Sequence, residues 1–242
     1  MKHLIISRIN LHMRLDPHKY QETELWKRSG WDEERIKLLN EWCRPSLIKQ
    51  TNQEFIFVSL WQKGYMESGN ELPNEVKIEI ENTGTRDDDP LDYKALWSHK
   101  NGKLTLNFAD QITEKIKERF EPPLLITNLD CDDALKYNFV DVLHGASLNH
   151  TGFIILDMQT RYQYNIKTGV KGKKSTRRPS PFLSCVEPEI RCIPIRYNHS
   201  MVPIDIPIKK IPELAGLQTL NGSNMFVKGT GKSANFEISD YV

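Results

Sequence analysis

Three aspartates stand close together in the middle of the chain and are well suited to bind a metal ion. Asp130, Asp132 and Asp133 lie within four consecutive positions of the segment NLDCDD. Carboxylates at this spacing repel one another, and a hard divalent cation such as Mg²⁺ or Mn²⁺ relieves the repulsion while taking oxygen ligands. The spacing therefore predicts a metal site that a diphosphate would complete. The alternative is that these aspartates only cap a helix starting near Ala134.

The acidic segment follows a run of residues that has the composition of a buried β-strand. LLIT at 124–127 leads directly into NLDCDD, and ligands of open α/β sheets bind at the carboxyl ends of the strands. Further strands are predicted from apolar, β-branched or aromatic runs at 3–9, 55–61, 76–80 and 152–158. The acidic segment is therefore expected at the edge of a sheet, where a site should lie.

Amphipathic segments alternate with these strands and predict the helices that cover the sheet. The spacing of apolar residues predicts helices at 31–50, 110–120 and 134–143, and Pro45 is expected to break or restart the first. Residues 190–197 have the pattern of a short extended piece. Alternating β and α elements are typical of an open sheet covered on both faces. We therefore predict a single α/β domain with a Rossmann-like, mixed and mainly parallel sheet.

The overall composition gives no indication of a polyanionic partner or of a membrane segment. Lys and Arg number 33 against 32 for Asp and Glu, so contact with nucleic acid would need a local patch. No window approaches the ~20 apolar residues of a membrane-spanning helix, and the N-terminus lacks the apolar region of a secretory signal. The four cysteines lack CxxC spacing, which indicates free thiols. These features predict a soluble, cytoplasmic protein.

A basic segment at 165–181 carries cations that suit phosphate binding. Its sequence, NIKTGVKGKKSTRRPSP, is rich in Gly, Ser and Lys and predicts a mobile loop. The loop is expected either to close over a diphosphate or to stay solvated without a ligand. A further hypothesis is that it binds the phosphate backbone of a nucleic acid. The cations concerned are Lys171, Lys173, Lys174, Arg177 and Arg178.

Several separated segments resemble the rhamnosyl transferase family of the GT-A glycosyltransferase superfamily. SRIN at 7–10 is similar to the family's Thr-Arg-Phe-Asn segment, and ITNLDCDDAL at 126–135 to its Thr-Arg-Leu-Asp-Asn-Asp-Asp-Ala-Leu segment. A longer match is RIKLLNEWCRPSLIKQTNQEFIFV at 35–58, which resembles its helix, Pro-Ser-Leu, Gln-Thr and following strand. PFLSCVEP at 181–188 and NHSMV at 198–202 resemble its later segments. Asn128 stands where the family has Arg, and Cys131 where it has Asn or another polar residue.

The resemblance implies a GT-A-like fold, a divalent cation and a nucleoside-diphosphate sugar as donor. The ion would be Mn²⁺ or Mg²⁺. The donor-binding residues that it implies are Ser7, Arg8, Asn10 and Asp130. The metal ligands that it implies are Asp130, Asp132, Asp133 and His199.

Glu187 is a further candidate, and simpler interpretations exist for it and for two of the residues above, Arg8 and His199. Glu187 is the candidate catalytic base if the reaction inverts the anomeric centre, because a carboxylate can take the proton of the acceptor hydroxyl. It could instead be only a turn residue before a proline. Arg8 could equally form a structural salt bridge at the end of a strand. His199 could be a histidine without a ligand.

The resulting hypothesis is a glycosyltransferase that moves a hexose or pentose from a nucleoside-diphosphate sugar to an acceptor hydroxyl. The acceptor would be a glycan or a modified DNA base. Residues 1–130 would form the nucleotide-binding half and residues 131–242 the acceptor-side half. The alternative is a metal-dependent phosphotransferase or nuclease, because clustered carboxylates also serve two-metal phosphoryl chemistry.

Overall fold

The chain is described by a computed structural model over residues 1–11, 29–69, 72–81, 97–100, 103–106, 109–175, 179–196, 205–220 and 232–242. In chain order, the strands in these ranges are β1 (Lys2–Arg8), β2 (Ile56–Gln62), β3 (Glu75–Ile80), β4 (Trp97–Lys100), β5 (Lys103–Leu106), β6 (Leu124–Asn128), β7 (Ala134–Leu135), β8 (Ile154–Met158), β9 (Thr160–Asn165), β10 (Lys171–Ser175), β11 (Ser184–Glu187), β12 (Ile208–Ile211), β13 (Gly216–Leu220) and β14 (Lys232–Ser233). The helices are α1 (Trp31–Leu38), α2 (Arg44–Ile48), α3 (Ala109–Lys117), α4 (Phe139–Ser147) and α5 (Ile193–Arg196).

The largest sheet in the described part of the chain has seven strands, in the order β12-β8-β11-β6-β1-β2-β3. Neighbours β3, β2, β1 and β6 are parallel, and β12 is parallel to β8. Only β11 runs the other way, because it is antiparallel to both β6 and β8. The predicted Rossmann-like, mixed and mainly parallel sheet is therefore confirmed.

A helical segment joins β1 and β2 on one side of this sheet. Three acidic residues in the first turn of α1 complement the helix dipole. A π-helical turn at Leu39–Cys43 connects α1 to α2, and Pro45 lies in the first turn of α2. Proline is tolerated there because the first N–H groups of a helix have no intrahelical acceptor. The helix was expected to break or restart at Pro45, and the structure shows a restart, because α2 begins at Arg44 after the π-helical turn.

Alternate residues of the central strands supply two separate apolar cores. Ile5 of β1 and Phe57 of β2 face the side that is covered by the π-helical turn and α4. Leu4 and Ile6 face the opposite side, which is covered by α3 and α5. Strand side chains point alternately to opposite faces, so strands that are buried on both faces need nearly continuous apolar sequence. This requirement explains why the strands were predictable from sequence.

A second, five-stranded sheet has the order β14-β10-β9-β13-β7. Strands β9 and β13 are parallel, and the other neighbours are antiparallel. Its strand β7 follows directly after the acidic segment, and β9 begins two residues after β8 ends. The second sheet is therefore tied to the carboxyl edge of the first through short connections.

The prediction of a helix at 134–143 is wrong at its start. Ala134 and Leu135 form β7, which pairs with Leu217 and Gly216 of β13. The helix begins only at Phe139. The cause is a pairing with residues about eighty positions later in the chain, which local periodicity does not contain.

Two other segments also differ from their predictions. The end of the piece predicted as extended at 190–197 is the short helix α5, not a strand. The segment at 165–181, predicted as a loop, contains β10, which pairs with β9 and β14. A sequence rich in lysine and glycine does not favour a strand locally. Strand β10 forms because it pairs with β9 on one side and with β14 on the other.

The described residues contain no helix that is long and apolar enough to cross a membrane. All four cysteines, Cys43, Cys131, Cys185 and Cys192, are buried with free thiols.

Gly216 of β13 packs closely against Phe182 and Met158 and gives a test of the fold. A Cβ added there would lie 2.9 Å from two ring carbons of Phe182 and 3.0 Å from Cε of Met158. Because Phe182 is buried and cannot move freely, Gly216→Ala should lower the free energy of unfolding by about 1–3 kcal/mol, measured by urea denaturation. Gly145→Ala in α4, where nothing lies within 4 Å, should raise it by about 0.5–1 kcal/mol. Equal effects of the two substitutions would contradict this packing.

Candidate functional site

The candidate site lies where β1 and β6 end, side by side at one edge of the seven-stranded sheet. The two strands are parallel neighbours, so their carboxyl ends share this edge. Beyond the strands, Leu129 N donates to Ile6 O at 3.0 Å. A second bond, from Asp133 N to Asp130 O at 3.0 Å, closes the turn that carries the aspartates. The acidic turn therefore follows a fully buried strand, as the sequence predicted.

Arg8 and Asp130 form an ion pair across the ends of β1 and β6. Arg8 Nη2 donates to Asp130 Oδ1 at 2.8 Å, and the two side chains are 18% and 33% exposed. A charge-assisted bond of this kind is stronger than a neutral one. Both residues were predicted to lie at the donor, and the structure brings them together at the most open part of the turn.

Arg35 of α1 reaches into the same turn and contacts two further residues of it. Its Nη2 donates to Cys131 Sγ, and its Nη1 lies 3.5 Å from Asp132 Oδ2. Its Nε donates to Ile9 O, and its guanidinium lies over the ring of Trp31. Burial alone would lower the pKa of Arg35, but the acidic groups of the turn raise it. The guanidinium therefore stays charged and offsets part of the negative charge.

Asp133 is buried and binds the second sheet. Its Oδ1 accepts from Thr219 N at 3.0 Å, and Thr219 Oγ1 donates to Asp132 O. Burial raises the pKa of Asp133 well above its ordinary value, and the nearby Asp132 and Asp130 raise it further. Because β7 follows directly, Asp133 does not cap a helix at Ala134, which corrects the alternative drawn from the sequence.

Each aspartate of the turn thus has its own protein partner. Within the described ranges, no group of three or more His, Cys, Asp or Glu side chains is arranged to hold a metal ion. Three carboxylates nevertheless lie close together in the turn, and Arg8 and Arg35 each form an ion pair with one of them. The two arginines offset part of the negative charge of the turn.

Asn10 fastens the segments that follow β1 and β2 to each other. Its Nδ2 donates to Asp32 Oδ1 at 2.9 Å and to Tyr65 O at 3.3 Å, and its Oδ1 accepts from Gln62 N at 3.1 Å. Asn10 is fully buried. It lies at the predicted edge of the sheet, but its amide is occupied by these protein contacts.

Ser7 does not lie at an accessible position. It is fully buried within β1 opposite Ser59 of β2, and its Oγ has no hydrogen-bond partner. Ser7 directly precedes Arg8 at the carboxyl end of β1, but its side chain is not exposed to solvent in this structure. The contact of Ser7 with a nucleotide therefore stays a prediction.

Asn128, the last residue of β6, makes contacts that connect two segments of the chain. Its Nδ2 donates to Pro181 O at 2.7 Å, and its backbone N donates to Leu183 O at 2.9 Å. These bonds join the end of β6 to the segment that leads into β11.

Glu187 lies at the opposite edge of the sheet from the aspartates. In the antiparallel pairing of β11 with β6, Glu187 is opposite Leu124, the first residue of β6. Four residue steps of a strand separate it from the end of β6, roughly 13 Å. Its carboxylate accepts from the backbone N–H groups of Arg191, Cys192 and Ile193. This position does not support a role as catalytic base, and the carboxylate instead stabilises the start of α5.

Three predicted residues fall outside the described ranges, namely His199, Arg177 and Arg178. Three residues at the site were not predicted, namely Arg35, Arg161 and Thr219. Arg35 opens the longest segment of the resemblance, which was the available signal for it. Thr219 binds the aspartates from the second sheet, and Arg161 of the same sheet interacts electrostatically with Asp133; nothing in their local sequence indicates this.

The sheet topology defines a Rossmann-like α/β protein that has an acidic turn at the carboxyl edge of its main sheet. The sequence model of the family described as "Putative rhamnosyl transferase" matches residues 16–233. The chain therefore belongs to this family and is a glycosyltransferase by family. No curated protein matches the chain.

Glu187→Gln tests whether this carboxylate is a cap, as its contacts indicate. The amide NH₂ would face a backbone N–H group, so the free energy of unfolding should fall by about 1–3 kcal/mol. Burial raises the pKa of Glu187 to about 7 from 4.5, against the opposing effect of the three N–H groups. The folded wild type therefore binds more protons than the unfolded chain between these pH values, and this contribution to its stability is lost as pH rises through them.

The difference in stability between wild type and Glu187→Gln should consequently shrink as pH rises from 4.5 to about 7. Urea denaturation at several pH values measures it. A difference that stays constant, or a variant as stable as the wild type throughout, would contradict the assignment.

Proposed function

We propose that the protein transfers a sugar from a nucleoside-diphosphate sugar to an acceptor hydroxyl, with a divalent cation held by Asp130 and Asp132. The observation that carries the proposal is the position of the acidic turn. Three carboxylates follow the last residue of β6 at the carboxyl edge of a mainly parallel sheet, the edge where α/β folds bind ligands. Membership of a glycosyltransferase family supplies the reaction class.

The residues of the turn fit such a cation by their chemistry. Carboxylate oxygens are the ligands that Mg²⁺ and Mn²⁺ prefer, and Mg²⁺ is commonly held by one or two carboxylates together with substrate phosphates. Asp130 is the most exposed of the three carboxylates whose side chains crowd here. The negative charges of Asp130 and Asp132 raise the pKa of Asp133, and a bound cation would offset these charges. When bound, the ion would neutralise charge on the diphosphate leaving group.

The chain's own residues prepare the site before any ligand binds. Arg8 forms an ion pair with Asp130, and Arg35 forms one with Asp132. Asp133 is fixed by the backbone of Thr219. Because the aspartates are held by three separate elements, they need little reorganisation when ligands arrive.

Calorimetric titration of UDP, GDP and dTDP, each with and without Mn²⁺, tests the proposal. The wild type should bind at least one of them with Mn²⁺ and bind it at least about tenfold more weakly without the ion. The double variant Asp130→Asn, Asp132→Asn should lose the Mn²⁺-dependent part, because the neutral amides replace the charged ligands. The nucleotide that binds names the donor.

Asp205→Asn is the matched control, because Asp205 is exposed and precedes β12 at the other edge of the sheet. It should bind like the wild type. Absence of binding for every diphosphate under both conditions would overturn the proposal. Cleavage of a polynucleotide without any nucleoside-diphosphate binding would favour the nuclease alternative instead.

A further inference from the structure

The hairpin of β9 and β10 presents different residues to its two faces. Tyr162 and Tyr164 of β9 pack with Trp42 and Tyr241 on one face. Lys171 of β10 is on that face too, since it is opposite Tyr164 and its Nζ donates to a carbonyl at 2.6 Å. Because side chains alternate along a strand, the intervening residues point to the other face.

Arg161 and Lys174 are the cations of that other face. They are direct partners in the antiparallel pairing of β9 with β10, so their side chains lie side by side. Lys173 is opposite Tyr162 and therefore lies on the aromatic face. Of the three lysines predicted to bind phosphate, the strand geometry thus singles out Lys174.

Arg161 is largely buried but lacks a partner for its charge. Its Nε is buried without a hydrogen-bond acceptor, and the guanidinium forms no ion pair within the part of the chain that is described. Burial lowers its pKa, whereas Asp133 and Asp157 raise it. Asp157 is itself satisfied by Ser180 and Lys210. Arg161 therefore interacts electrostatically with Asp133 of the acidic turn and has an unused Nε donor.

This arrangement is costly unless a ligand binds to it. Like charges directly opposite each other in a sheet destabilise the pair, and a buried donor without an acceptor loses its hydration without compensation. An anion that accepts hydrogen bonds from both side chains removes both costs. Planar guanidinium groups are particularly suited to phosphate oxygens.

We propose that Arg161 and Lys174 form a phosphate subsite on the second sheet, which holds the diphosphate of the donor from the side opposite Asp130 and Asp132. The inference rests on the proposed function, because it assigns the ligand of the subsite to the donor. The two carboxylates and the two cations then bind one ligand between the sheets. Neither residue takes part in bond breaking, and both position the diphosphate.

Calorimetry with Mn²⁺ and the diphosphate that the wild type binds tests the subsite with three variants. Arg161→Gln and Lys174→Gln should each weaken binding at least about tenfold, because each removes a charge-assisted bond to phosphate. Lys173→Gln is the matched control: it removes the same charge from the adjacent residue on the aromatic face and should change affinity less than about twofold. Equal affinities in all four proteins, or an equal loss in Lys173→Gln, would overturn the proposal.

A second measurement separates binding of the diphosphate from binding of the ion. Electron paramagnetic resonance of Mn²⁺ without nucleotide should give the same affinity in wild type, Arg161→Gln and Lys174→Gln. A weaker Mn²⁺ affinity in these two variants would assign them to support of the acidic turn and overturn the subsite. If Arg161→Gln does not fold, Lys174→Gln decides, because Lys174 is half-buried rather than part of the core.

The two proposals fail in different ways. If the wild type binds no nucleoside diphosphate, the proposed function fails, and inorganic pyrophosphate becomes the probe of the subsite. Pyrophosphate should then raise the melting temperature of wild type and Lys173→Gln but not of Arg161→Gln or Lys174→Gln. An equal rise in all proteins, or none in the wild type, would overturn the subsite as well.

Discussion

The crowding of three carboxylates in one turn is the constraint around which the structure is organised. Asp130, Asp132 and Asp133 repel one another, and burial makes the repulsion stronger because the effective dielectric constant falls. Each carboxylate is held by a group from a different element: Arg8 of β1, Arg35 of α1 and the backbone of Thr219 in β13. The site therefore exists only when both ends of the chain have folded onto β6.

The same constraint explains why the second sheet lies against the carboxyl edge of the first. Thr219 binds both Asp132 O and Asp133 Oδ1, so β13 is fixed directly beside the turn. The absence of a side chain at Gly216 lets β13 approach the buried ring of Phe182. Once β13 is fixed, its parallel partner β9 is carried with it. In this way Arg161, which is distant in sequence from the aspartates, comes close enough to Asp133 to interact with it electrostatically.

Sequence alone was sufficient for features that are encoded locally, and it failed where distant pairing decides. Five strands of the main sheet, β1, β2, β3, β6 and β8, were predicted, and burial on both faces makes strands such as β6 recognisable by their continuous apolar residues. The position of Glu187 could not be predicted. The sequence of β11 does not indicate that this strand lies antiparallel between β6 and β8. Had β11 run parallel to β6, Glu187 would have ended at the edge of the aspartates. The same limit applied to Ala134, whose partner is Leu217.

Cys131 shows how narrowly charge is balanced within the turn. It stands between Asp130 and Asp132, is fully buried and accepts a hydrogen bond from Arg35. Burial raises the pKa of Cys131 to about 12, while Arg35 acts to lower it and the neighbouring aspartates act to raise it. The thiol therefore stays neutral at physiological pH and adds no fourth negative charge. Because the Cys131 thiol is a small, neutral acceptor, the guanidinium of Arg35 can contact both Cys131 and Asp132. The charge of Asp130 is then balanced by Arg8, and its partly exposed carboxylate still faces solvent.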